Sequence, residues 1–136
     1  MSSAAGLGPL NVVSYSPGVC NIGPAEIARR RMAGHIGLAA TMVVFAALVV
    51  VGAPHWTRLV LVLPAAGSAS GYLQAWFHFC AGFGSRGIYN FGPLGTVQEV
   101  ADPLARARDR AQSMRIGLGS VAIGVVVAVL AALLPF

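Results

Sequence analysis

Two imidazoles and two thiols, His35, His78, Cys20 and Cys80, are the side chains of this sequence with the widest chemical range. Thiolate and neutral imidazole together suit zinc or copper(I), and two facing histidines could hold a haem iron from both sides. Cys80 follows His78 by two residues, but no Cys-x-x-Cys and no His-Glu-x-x-His is present. Structural zinc sites usually carry such tight ligand pairs, so a centre here has to be assembled by the fold rather than by local spacing. The competing reading is structural: a histidine at a membrane boundary can donate to headgroups or carbonyls, and small buried cysteines are common packing residues. A cofactor, either a transition metal or haem, therefore stays open at this point.

Other reactive constellations are thinner. The acidic residues are Glu26, Glu99, Asp102 and Asp109. Asp102 precedes Pro103 and reads as a helix cap, while Glu26 suits the positive end of a helix beginning at Pro24. That leaves Glu99 without a carboxylate partner. The glycine-rich run 81–95 lacks a Gly-Lys-Ser/Thr and carries too many aromatics for a phosphate loop. No Ser/His/Asp or Cys/His/Asn set emerges, so the expectation is a protein that is not an enzyme.

The elements that must position these residues are read from charge and hydropathy. Hydrophobic residues make up 57% of the 136 and charged residues 10%, against about 25% charged in soluble domains. Too few polar residues remain to cover a water-soluble surface, so an integral membrane protein of one domain is expected. Burying a charge at the bilayer centre costs roughly 2.5–3.5 kcal/mol, and the gaps between arginines mark what lipid can hold. Those gaps predict an all-α protein with three transmembrane helices, at about 33–52, 59–78 and 116–135. About twenty residues cover a hydrocarbon core of about 30 Å.

Around these spans lie an irregular leader (1–22), a Gly/aromatic interfacial segment and a basic, amphipathic start to the third helix within 79–115. The glycines between 82 and 95 are expected to break any continuous helix there, and Pro64 is expected to kink the second span. Arg29, Arg30 and Arg31 precede the first run, and Arg86, Arg106, Arg108, Arg110 and Arg115 lie between the second and third. By the positive-inside rule the amino end is cytoplasmic and the last helix ends outside, in a cell (inner or plasma) membrane. The basic residues are expected to meet lipid headgroups, and no nucleic-acid recognition motif accompanies them.

Folding the first two runs as a hairpin brings His35 and His78 to similar depth, with Cys80 and Cys20 on the same cytoplasmic rim. The stretch Cys20-Asn21-Ile22-Gly23-Pro24-Ala25-Glu26 reads mainly as turn and helix start, with a docking or ligand role for Cys20 as the alternative. Gly67 and Gly71 fall on a GxxxG spacing, and Ser120 and Gly124 on a small-xxx-small spacing, which lets helices approach closely. The functional expectation is a non-catalytic accessory or assembly subunit that associates through these faces, in a homo-oligomer or a larger membrane complex. The alternative is a metal- or haem-binding protein for metal handling or electron transfer.

Overall fold

The computed structural model describes residues 15–136, so the predicted leader up to position 14 lies outside the described residues. Helix α1 runs Pro24–Val50, a 3-10 segment His55–Leu61, and helix α2 Val62–Phe77. A short helix α3 (Ala81–Arg86), strands β1 (Ile88–Tyr89) and β2 (Gln98–Glu99), and helix α4 (Pro103–Leu133) follow. Helix α2 packs against both α1 and α4. Among the described residues two helices, α1 and α4, are long and apolar enough to cross a membrane.

The start signals of the long helices act as their residue types dictate. Pro103 occupies the first turn of α4, and the Asp102 carboxylate accepts the backbone N–H of Leu104 at 3.3 Å. Pro24 opens α1 behind Gly23, whose own hydrogen is needed because a Cβ there would come within 2.9 Å of the Phe91 backbone. The basic lead-in and the apolar run 116–133 form one unbroken helix, α4, of 31 residues.

The second apolar run departs from a single continuous helix. It opens as seven 3-10 residues, and the α-helical part begins only at Val62. Pro64 thus falls in the first turn of α2, where a backbone N–H would have no intrahelical partner. The predicted kink is removed by this shift in register. The Gly/aromatic segment, read as a stretch without a continuous helix, carries short elements of its own. It holds the six-residue α3, ended by Gly87 at φ 73°, and an antiparallel pair with Ile88 opposite Glu99 and Tyr89 opposite Gln98.

Small residues set the helix spacing, though not quite those the GxxxG pattern selected. A Cβ on Gly71 would lie 2.5 Å from Gly34 N and 2.7 Å from the Arg30 carbonyl oxygen, and one on Gly37 would lie 2.8 Å from the Ser68 backbone. Gly34, Gly37, Ser68 and Gly71 therefore form the α1–α2 seam, with Ser68 Oγ donating to the Gly34 carbonyl at 2.8 Å. Gly67 faces away, with nothing within 4 Å of its Cβ position. Between α2 and α4, Gly124 admits Ala66 and the Val62 carbonyl, and Ser120 is buried beside it in sequence on the same face, donating to Ile116 O.

Two apolar nuclei stand at opposite ends. Ile22, Ile27, Ala75, Cys80 and Phe83 cluster where α1 begins and α2 ends, and Leu61, Ala128 and Ala131 cluster near the end of α4. Beside the second nucleus Arg58 is only 2% exposed. Its guanidinium donates to the carbonyls of Ala131, Leu134 and Phe136 and lies 5.2 Å from the Phe45 ring centroid. The last carbonyls of a helix lack intrahelical donors, and Arg58 supplies them from another segment.

Candidate functional site

The end of the fold where α1 starts, α2 stops and α4 starts carries a buried polar cap. Its first member is Asn21. The Cys80 N–H donates to Asn21 Oδ1 at 2.6 Å, and Asn21 Nδ2 donates to the Cys80 carbonyl at 3.2 Å. One side-chain amide thus satisfies both polar groups of the residue at which the chain turns from α2 into α3. The backbone repeats the clamp: Asn21 N donates to His78 O, Asn90 N to Asn21 O and Gly23 N to Asn90 O.

Glu26 is the second member, at 1% exposure. Its carboxylate takes Arg30 Nη1 at 3.0 Å and Asn90 Nδ2 at 3.1 Å. Arg30 also directs Nη2 to Cys80 Sγ at 2.7 Å and lies 5.6 Å from the Phe83 ring centroid, which Arg86 approaches at 5.7 Å. Asn90 Oδ1 accepts from Gly92 N and from Thr96 Oγ1, each at 2.9 Å. The third member is Asp109, buried on α4, whose two oxygens accept the Tyr15 hydroxyl and the Gly18 N–H, each at 2.7 Å. Burial, and then the hydrogen bond to Asp109, push the Tyr15 phenol well above its ordinary titration range.

Hydrogen bonds to charged groups contribute about 1.5–3 kcal/mol each, and leaving such a group buried without its partner costs more. Arg58 Nε, at the other end of the fold, is the sole buried side-chain nitrogen or oxygen without a partner among the described residues. The cap is a matched network that ties residues 15–23 to three helix ends.

The predicted ligands occupy four different environments on this side. Cys80 is buried against Arg30. Cys20 is half-buried with Sγ 3.8 Å from Ile22 O, and burial pushes its thiol up. His35 is exposed, with Nδ1 2.6 Å from the Tyr72 hydroxyl. His78 is exposed and ends α2 in the left-handed conformation, at φ 55°. Among the described residues no three His, Cys, Asp or Glu side chains come together in a group that could hold a metal ion. The arginines divide as well. Arg30 and Arg106 turn inward, the latter donating Nε to the Val100 carbonyl, while Arg29, Arg31, Arg108, Arg110 and Arg115 are exposed.

Sequence reasoning gave Asn90 no role and read Asn21 only as part of a turn. Their signal is a repeated tetrapeptide, Asn-Ile-Gly-Pro at 21–24 and Asn-Phe-Gly-Pro at 90–93. The two copies meet at the Ile22–Asn90 bridge. Comparisons of the chain with protein families, with curated proteins and with solved structures find no match.

Proposed function

We propose that the chain is a three-crossing membrane protein and serves as a non-catalytic accessory or assembly subunit. The carrying observation is an inversion of the usual burial pattern. Only 11% of the apolar window of α1 and 28% of that of α4 is buried within the fold, whereas Glu26, Asp109, Asn21 and Asn90 are all buried. A core helix of a soluble protein would be covered over most of such a window, and a bilayer supplies that cover instead. A cleavable signal sequence is disfavoured for α1, because its glycines seat α2.

The third crossing is supported by where the middle segment is tied. Asn21 bonds His78 at the cap, and Arg58 bonds the last turn of α4 at the far end. Sixteen α-helical residues rise about 24 Å at 1.5 Å each, and seven 3-10 residues add about 14 Å at 2.0 Å each. Together these exceed a hydrocarbon core of about 30 Å, so a bilayer crossed by α1 and α4 is crossed by this segment too. The exposed arginines at the cap end support a cytoplasmic cap by the positive-inside rule.

A non-catalytic role is supported by the cap itself, whose carboxylates and side-chain amides are each engaged by other groups of the chain. Association is carried by the outer faces, since Gly71 and Gly124 are used inside the protomer. Gly67, and Gly117 on α4, remain open small positions. Cross-linking of Gly67→Cys and Gly117→Cys in native membranes is expected to yield a specific dimer or a reproducible heteromeric adduct. A protein that stays monomeric in mild detergent, with neither cysteine cross-linking and Gly67→Leu without effect on any complex, would sink the reading.

A further inference from the structure

Beside the cap, α1 and the end of α2 flank an open groove of about 550 Å³ lined by Arg31, Tyr72, Leu73, Ala75, Trp76 and His78. Arg31 and His78 are both exposed, and neither side chain hydrogen-bonds another described residue. Each carboxylate of the chain is engaged or located elsewhere. Glu26 pairs with Arg30, Asp109 takes Tyr15, Asp102 caps α4, and Glu99 lies on the exposed strand β2. Three of the carbonyls at the end of α2 are already taken by backbone donors. Gln74 O, Ala75 O and His78 O accept from Phe79 N, His78 N and Asn21 N.

The remaining wall is apolar and ends in an aromatic suited to a membrane boundary. Trp76 is 79% exposed, and an indole at that depth prefers the headgroup level. The Tyr72 hydroxyl is held by His35 at 2.6 Å. A guanidinium, an imidazole and a hydroxyl over an apolar wall match a phosphate attached to a hydrocarbon. Basic pockets between helices on the cytoplasmic side hold anionic lipid headgroups in this way, and an arginine fork suits phosphate oxygens. We propose that this groove binds the phosphate of an anionic phospholipid, with Arg31 and His78 on the phosphate and Trp76 and Leu73 against the adjoining chain. This assignment rests on the membrane reading above.

The test uses the full chain in mild detergent carrying Trp56→Phe, which leaves Trp76 as the one tryptophan of the two present. Its fluorescence is titrated with short-chain phosphatidylglycerol, short-chain phosphatidylcholine and inorganic phosphate. Saturable binding of phosphatidylglycerol is expected, at least ten-fold tighter than of phosphatidylcholine, with no saturation by inorganic phosphate. Arg31→Gln with His78→Asn is expected to weaken it at least ten-fold; asparagine tolerates the left-handed conformation. Arg29→Gln, about 200° around α1 from Arg31, is expected to change it less than two-fold. Equal response to both lipids, saturation by inorganic phosphate alone, or equal losses from Arg29→Gln and the double variant would overturn the assignment. The membrane reading fails by a different result, a chain that is soluble and monodisperse without detergent.

Discussion

At Glu26 one carboxylate holds together a helix start, an arginine and a distant loop, since its oxygens take Arg30 and Asn90. Removing one member of a buried ion pair leaves the other charge without compensation, at a cost of about 3–5 kcal/mol. Glu26→Gln is therefore expected to lower stability by about 3 kcal/mol, read from chemical unfolding in detergent. Glu26→Gln and Arg30→Gln together should cost less than the sum of the two, and strict additivity would mean that the pair is not coupled. Tyr15 supplies a pH signature. Its folded-state value is raised above the ordinary value of about 10, so the neutral phenol is the form favoured by folding. That stabilisation is present in full below about pH 10 and is lost as pH rises towards the folded value. Tyr15→Phe should flatten the fall in stability above about pH 10, measured against the parent protein to cancel Tyr72 and Tyr89. The thiols differ in kind: single-cysteine variants are expected to label with maleimide slowly at Cys20, faster as pH rises, and at Cys80 only on unfolding.

Helix seams show how far an element could be read from sequence and where reading stopped. Proline and carboxylate at 102–103 marked the start of α4 because capping is a local interaction, complete within one turn. The GxxxG spacing marked Gly71, which lies in the α1–α2 seam, and Gly67, which is left on the open face of α2, because which helix face meets a neighbour depends on a register that only the partner helix defines. Gly34 and Gly37, the other half of the seam, were hidden for the same reason. No local pattern marks Arg58, since its partners are carbonyls 73 and more positions away. The polar cap was least legible: hydrogen bonds between residues 21 and 80, or 26 and 90, leave no periodic trace. Gly71→Leu is expected to destabilise by about 2 kcal/mol, the range for overpacking a close contact, whereas Gly67→Ala should cost nothing. Thermal unfolding of the two variants in the same detergent would decide it; equal losses would place Gly67 in a seam after all.

For the whole molecule, the two ends are built by opposite rules, and that difference makes topology measurable. The cap end is folded and rimmed with exposed arginines. At the far end the only arginine is buried on helix carbonyls, so that face offers no basic charge to a lipid surface. Trp56 there is 71% exposed, and Val97 near the cap is 47% exposed, so each can carry a label without disturbing a core. In a background of Cys20→Ser and Cys80→Ser, Trp56→Cys should react with an impermeant maleimide in intact cells. Val97→Cys should react only after permeabilisation. The proposed three crossings add a third site, since Leu133 ends α4 on the side of Trp56: Leu134→Cys should follow Trp56→Cys. If Leu134→Cys instead sides with Val97→Cys, α4 does not cross, and the three-crossing arrangement falls with it. If all three label together in intact cells, the arginine partition has lost its meaning as an orientation signal.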